Sequence, residues 1–372
     1  MGKDTMAINS LLNSPRRLTR ELLDSQFVES LVTPNPIERY IGMIDPVWSR
    51  RDVRAKIVEI EHQTPRSITL TLEPNSNWAG FEPGQHVGLT VEIDGRLTTR
   101  FYSPASAPTD KRLELTITEH PGGKVSEHLV EHARIGMVVG LSPAEGEFVL
   151  PAERPEQLLL ISGGSGITPV MSMVRTLCEE GHKRPVTFLH FARTEEDAIY
   201  AAELIELSAK NPNLNVVTIL TREGGKPKHL TRANLKSICP EYLSAETYVC
   251  GPNALVDAAE KIWTQDKNAS RLHSEPFTLP EPKVVTADAT GTVTFSRSGV
   301  KVKNDGQSLL LQAENGNLSP KHGCRMGICH TCVCRVESGT VRNVRTGELT
   351  TLNNDLVQIC VNSPVGDIEI DL

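Results

Sequence analysis

The sequence predicts a multidomain chain: an antiparallel β-barrel, then an α/β domain built on a parallel sheet, then a small α+β domain at the C-terminal end. Three observations predict it. Short β-rich runs separated by turn residues follow residue 50. Beyond about residue 152 an apolar strand enters a glycine-rich loop and a helix, and strands and helices then alternate. Near the end, four of the eight cysteines fall within eleven residues, Cys324 to Cys334.

Bulk properties narrow the function. A chain of 372 residues has room for two or three domains. A net charge of −7 argues against a nucleic-acid partner. No apolar run approaches the ~20 residues of a membrane span, and no charged-then-apolar signal segment opens the chain. The expected setting is a reducing cytosol, where clustered cysteines read as metal ligands or redox groups before disulfides.

Residues 1–50 form an N-terminal extension. In "RRLTRELLDSQFVESLV", Leu18, Leu22, Leu23, Phe27, Val28, Leu31 and Val32 fall close to one helical face, and Arg16, Arg17 and Arg20 make its start basic. Such a helix meets a membrane surface or a partner, or simply packs on the barrel; the spacing allows both. The barrel is expected over residues 51–151. Within it, "RFYSPAS" follows the alternating strand "HVGLTVEID". Further on, "LELTITEHPGGKVSEHL" ends a strand in Gly122–Gly123, and Ser126 is expected to cap a helix running to about Ala133. Glycines ahead of a helix N-terminus let backbone N–H groups face a phosphate, and Lys124 adds a cation. Taken alone, such a pair is more often a plain turn.

The α/β domain is expected over residues 152–275. "LLLISGGSGITPVMSMVRTLCEEG" reads as a strand, the loop Gly163–Gly164–Ser165–Gly166, and a helix beginning near Thr168–Pro169, where a proline has no N–H to lose. The strand–glycine loop–helix order is what a dinucleotide site requires. Strand "PVTFLHFA", helix "AIYAAELIELSAK", strands "NVVTILT" and "TYVCGP" and helix "NALVDAAEKIW" follow. Arg193 and Arg222 end two of these strands, and arginine there suits the 2′-phosphate of NADPH by charge-assisted bonds; Glu195 and Glu196 lie close by and keep NADH open. Residues 276–285, within "EPFTLPEPKVVTAD", form a proline-bearing tether.

Residues 286–372 carry the cysteines. Cys324, Cys329 and Cys332 follow C-x4-C-x2-C, which with one distant cysteine is the plant-type [2Fe–2S] spacing. Gly323 and Gly327 let the loop fold tightly around an anionic object. Cys360 in "LVQICVNSP" is the expected fourth ligand. Cys334 is the rival, and its plain reading is a small buried apolar residue. Zinc would want a second close cysteine pair, which the chain lacks.

These motifs also carry a resemblance. R-x-Y-S followed by G-G-x-x-S, then "GGSGITP" and "YVCGP", resembles the ferredoxin–NADP reductase superfamily, and Thr286 to Leu372 resembles a plant-type ferredoxin of β-grasp fold. His330 and Thr331 depart from the residues many ferredoxins carry between the second and third cysteines. The resemblance implies FAD, favoured over FMN, with Arg100 on the pyrophosphate, Phe101 and Tyr102 at the flavin and Ser103 at its N5. It implies that Gly123, Lys124, Val125 and Ser126 turn their backbone to the pyrophosphate. It implies that Gly163, Gly164, Gly166, Thr168, Gly251 and Pro252 hold the nicotinamide dinucleotide, with Cys250 beside its ring and Glu275 and Phe277 near the flavin. Ser103 and Cys250 are the expected catalytic residues.

The activity implied is an NADPH-dependent reductase that passes electrons through FAD and a [2Fe–2S] cluster to an oxygenase or desaturase. Reductase components of phenylacetyl-CoA epoxidase, ring-hydroxylating oxygenases and acyl desaturases are similar in this way. A membrane-embedded acceptor, a monomeric state and a cytoplasmic location, peripheral at the membrane, complete the expectation. A stand-alone NAD(P)H diaphorase and a redox sensor with little turnover are the alternatives.

Overall fold

The computed structural model describes residues 45–223, 228–277, 289–323, 327, 331–344 and 347–372. The N-terminal helix expected within residues 1–44, most of the proline-bearing tether, and Cys324 and Cys329 lie outside the described residues.

Six strands, β1 (Val53–Thr64), β2 (Ser67–Pro74), β3 (Val87–Ile93), β4 (Arg96–Tyr102), β5 (Leu113–Thr118) and β6 (Val138–Leu141), make one antiparallel sheet in the order β4-β3-β6-β1-β2-β5. Just past β4, Pro104 bridges to Leu115 on β5. The two edge strands therefore meet and the sheet closes into the expected barrel. Inside it Ile57, Ile68, Leu70, Leu72 and Leu89 are buried, and helix α1 (Lys124–His132) adds Val125 and Leu129 to the same core.

The second sheet is parallel throughout. Its strands β7 (Leu158–Gly163), β8 (Val186–Ala192), β9 (Leu214–Leu220), β10 (Glu246–Gly251) and β11 (Leu272–Pro276) lie in the order β11-β10-β7-β8-β9. Strand β7 is buried along its whole length, as a parallel strand covered on both faces must be. Leu158 and Leu160 point toward α2 (Ile167–Glu179) and α3 (Ala201–Lys210), while Leu159 and Ile161 point toward α4 (Arg232–Ile238) and α5 (Asn253–Gln265). Phe148 and Leu150 of the barrel join the first of these cores, so the two domains share apolar surface. One expected helix starts late: α3 begins at Ala201, because Tyr200 takes a left-handed conformation (φ 58°, ψ 21°) at its N-cap.

The third sheet is mixed. Strands β12 (Thr292–Phe295), β13 (Val300–Lys303), β14 (Val333–Asn343), β15 (Leu349–Gln358) and β16 (Asn362–Ile370) run in the order β13-β12-β16-β14-β15, with β12 and β16 parallel. Helix α6 (Leu309–Asn315) covers it and buries Leu309, Leu310 and Ala313. Ser308 caps this helix by accepting from the Leu311 N–H at 3.4 Å. Strand β15 is an edge. Asn354 in its middle has φ 65°, and Arg335 donates to its carbonyl at 3.0 Å and its side-chain oxygen at 3.2 Å. Among the described residues no helix is long and apolar enough to cross a membrane.

Candidate functional site

From β7 the chain moves outward to β8 and β9, then returns to the other side of β7 as β10 and β11. The reversal makes a crevice at the carboxyl ends of β7 and β10, the usual ligand position in an open α/β sheet. Gly163, Gly164, Gly166 and Thr168 stand on one side of it, and Cys250, Gly251 and Pro252 on the other. The two turns touch: a Cβ on Gly166 would meet the Cys250 carbonyl oxygen at 2.4 Å and the Gly251 Cα at 2.6 Å. Only glycine lets backbone approach backbone this closely. Thr168 is buried in the first turn of α2, with Pro169 beside it as expected.

Strand register sets a buried polar row across this end of the sheet. Cys250 lies opposite Glu275 on one side and Ser162 on the other, and Ser162 lies opposite His190. The Ser162 hydroxyl and His190 Nδ1 are 2.8 Å apart. Burial pushes the His190 imidazole down to about 4, so the ring is neutral at pH 7. Burial, then the neighbouring Glu275, pushes the Cys250 thiol well up. Burial thus holds Cys250 as a neutral thiol at pH 7.

The barrel supplies the facing side. Arg100, Phe101 and Tyr102 end β4, and Ser103 follows at 2 % exposure. The Ser103 hydroxyl is buried with no hydrogen-bond partner among the described residues. Burial raises the Tyr102 hydroxyl above its ordinary value, with Arg100 opposing. The Phe101 ring stands edge-on to His86 at 5.6 Å, and His86 Nδ1 lies 3.9 Å from Glu275 Oε1. Glu275 and Ser103 are therefore on the two sides of one domain interface, and Phe277 packs against the core shared there while its N–H donates to the Gly251 carbonyl.

At α1 the structure corrects an expectation. Gly123 is the N-cap, the helix begins at Lys124 and it ends at His132. Ser126 is inside the first turn; its hydroxyl accepts from the His120 N–H at 3.2 Å and donates to the Gly123 carbonyl at 3.1 Å, tying the turn shut. The N–H of Gly122, at φ 77°, donates to Glu127 at 2.7 Å. Lys124 is exposed and Val125 buried. Arg193 and Arg222 are both exposed, just past β8 and β9, and are joined by a backbone hydrogen bond of 2.9 Å.

In the third domain Cys332 and Cys360 are 2 % and 7 % exposed. They are drawn together by the Ile359 N–H, which donates to the Cys332 carbonyl at 3.1 Å, and by the Gln358 side chain, which donates to the Gly327 carbonyl at 2.8 Å. Gly327 has φ 76° and sits where a Cβ would meet Val361 at 2.9 Å. Cys334 is half-buried among the apolar residues of the core, and burial raises its thiol. Ser162, His190 and His86 carry no motif of their own; the signal for His190 is an ionisable residue inside the otherwise uncharged strand "VTFLHFA".

Comparisons with known proteins agree with these three units. Residues 55–150 match the oxidoreductase FAD-binding domain, residues 160–261 the oxidoreductase NAD-binding domain, and residues 293–361 the 2Fe-2S iron-sulfur cluster binding domain. The chain is 36 % identical over 348 residues to an NADPH oxidoreductase of Mycobacterium tuberculosis, covering 92 % of this chain and 90 % of that one. It is 30 % identical to a glycine betaine monooxygenase reductase subunit of Pseudomonas aeruginosa, covering 78 % and 87 %. Its fold is that of phthalate dioxygenase reductase, with a TM-score of 0.61 at 24 % identity over 86 % of this chain and 97 % of that one. FAD, NAD(P)H and a [2Fe–2S] cluster are its cofactors. The donors present suit them: an open buried hydroxyl at Ser103, a glycine crevice ahead of α2, and paired buried thiols at Cys332 and Cys360.

Proposed function

The chain belongs to the family of FAD- and NAD-binding oxidoreductases that carry a 2Fe-2S domain, and on that premise we propose that it passes electrons from NADPH to a partner oxygenase or desaturase. The observation that carries this reading is the order of units in one chain: flavin barrel, nucleotide crevice, cysteine centre. When bound, FAD accepts two electrons from the nucleotide and releases them singly to the cluster, a step no side chain can perform.

The protein's part is placement. In this reading residues 51–151 hold FAD, 152–275 the nucleotide, 276–285 tether, and 286–372 the cluster. Arg100 neutralises the FAD pyrophosphate, and the backbone of Gly123 to Ser126 adds N–H donors at the start of α1. Phe101 and Tyr102 wall the flavin and Ser103 donates to it. Gly163, Gly164 and Gly166 admit the nucleotide pyrophosphate to the N-terminus of α2. Thr168, Cys250, Gly251 and Pro252 confine the nicotinamide and keep water from it. Cys324, Cys329, Cys332 and Cys360 bind the irons.

NADPH is favoured over NADH by Arg193 and Arg222, two exposed arginines joined through their backbones just past β8 and β9, where a 2′-phosphate would find charge-assisted donors. One relative is named an NADPH oxidoreductase, and others are named reductase subunits of monooxygenases, which supports an oxygenase acceptor. We take the protein to act as a cytoplasmic monomer, with residues 16–32 as the segment that would meet a membrane-embedded acceptor.

Anaerobic titration tests the core of this. NADPH should bleach flavin and cluster together at about one and a half equivalents, since the two centres take three electrons and each nucleotide gives two; NADH should be less effective, and a cluster-reduced EPR signal should appear. Liposome co-sedimentation of the full chain tests the membrane clause. A cluster that stays oxidised after the flavin is reduced removes the relay.

A further inference from the structure

Helix α2 begins directly after the glycine loop and lies along the barrel segment that follows Ser103. Its side chains grip that segment. Ser172 donates to the Ser106 carbonyl at 2.7 Å, and Arg175 donates to the Ala105 carbonyl at 2.9 Å. The same guanidinium reaches two carboxylates: Nη1 meets Glu114 on β5 at 2.6 Å, while Nε and Nη2 meet both oxygens of Glu203 on α3 at 2.7 Å. Glu114 belongs to the barrel and Glu203 to the α/β domain, so the fork is divided across the domain boundary.

Beneath it lies Tyr200, whose ring centroid is 5.1 Å from the guanidinium carbon. Its hydroxyl is hydrogen-bonded to Thr116 on β5, and its N–H donates to Gln63 on β1 at 3.3 Å. A left-handed conformation is strained for an aromatic residue, and it persists where surrounding contacts over-determine it. Here those contacts come from the other domain.

We propose that Arg175 is a positioning residue for hydride transfer, fixing the nicotinamide side of the crevice against the flavin side. Its span is suited to this. Ala105 is two residues beyond Ser103, and Thr168 is two helical turns before Arg175 on the same rigid helix. The hydride that leaves the reduced nicotinamide carries both electrons to the oxidised flavin, and the reacting atoms must stand ~3–3.5 Å apart; a displacement of ~1 Å costs about a hundredfold in rate. A contact that locks the two walls together acts on that distance without touching either cofactor. The proposal rests on the assignment of FAD and NAD(P)H, which flavin reduction in the unaltered protein checks separately.

Glu114→Gln and Glu203→Gln each take the charge from one arm of the fork, one across the boundary and one within the α/β domain, and weaken that hydrogen bond. Anaerobic stopped-flow flavin reduction at saturating NADPH, the flavin-to-protein ratio, the difference spectrum on NADP+ binding and the melting temperature are measured for both. The limiting rate should fall by about tenfold or more in Glu114→Gln and by less than about threefold in Glu203→Gln. Flavin content should be retained, nucleotide affinity should change less than about twofold, and the two losses in melting temperature should be similar. Equal limiting rates in the two variants, within about twofold, overturn the proposal and leave Arg175 a structural residue. Should Glu114→Gln release its flavin, Arg175→Lys decides: it keeps the charge but not the fork, and a limiting rate equal to that of the unaltered protein overturns the proposal equally.

Discussion

The crevice between barrel and α/β domain draws on four separate stretches of chain, at Ser103, Gly163–Gly166, Cys250–Gly251 and Glu275, whereas the candidate cysteine centre draws on one loop and the turn after β15. The difference follows from what each must transfer. A hydride moves between atoms in contact, so both walls of its site need fixing to within a fraction of an ångström. A single electron passes between centres that never touch, and a local nest of thiolates in a small domain serves for that. A site assembled across a boundary is also exposed to damage from far away, while a locally built one fails only through its own residues.

Substitutions that hit one centre and spare the other sharpen this contrast. The largest effect is expected from Cys360→Ser, which should abolish the cluster's visible absorbance and EPR signal while NADPH still reduces the flavin at its normal rate. Cys334→Ser should leave the cluster in place. An intact cluster in the first variant and a missing one in the second would transfer the fourth-ligand role to Cys334.

Next comes acid. His190 protonates near 6.5 in the unfolded chain but only near 4 when folded. Between those values the unfolded state binds more protons, so stability present above pH 6.5 is lost as pH falls toward 4, by about 3 kcal/mol in total. Calorimetry of the α/β transition should show that slope, and His190→Gln should flatten it without moving the melting of the iron–sulfur domain. A slope unchanged in the variant would assign the acid sensitivity elsewhere.

Arg222→Ala should cost about 2 kcal/mol of NADPH recognition, read as a KM raised roughly 30-fold with NADH unaltered. Identical effects on both nucleotides would place the guanidinium away from the 2′-phosphate. The smallest change is Ser308→Ala, which removes the cap of α6 and should lower the stability of the iron–sulfur domain by about 1 kcal/mol while flavin reduction stays normal.

Legibility in the sequence divides along the same line. The three folds and the glycine and cysteine motifs could be read because their signals are local: a loop before a helix, a fixed spacing of thiols, a run of alternating apolar residues. Strand β11 was hidden in "LHSEP", too short and too polar to stand out, and α4 carries too few apolar residues for a clear period. The start of α3 is not legible at Tyr200, since its left-handed turn is held by contacts with the barrel and not by its neighbours. Residue type alone suggests a cap at Ser126, yet its hydroxyl turns to His120 and Gly123. Arg175 did leave a trace: a helix buried nearly all round, "ITPVMSMVRTLCE", tolerates a cation only where partners await it, but nothing in the order of residues says that the partners stand in two domains.

Asn354 has a consequence outside catalysis. Strand β15 is a ten-residue edge bearing exposed Leu349 and Leu356, at 53 % and 62 %. Such an edge invites a second molecule to add a strand and so to begin stacking into aggregates. The left-handed residue at its middle, with its carbonyl committed to Arg335, breaks the straight ladder that an incoming strand would need. A left-handed residue in the middle of an edge strand is thus a local obstacle to strand addition, of the kind by which sheet proteins avoid pairing edge to edge.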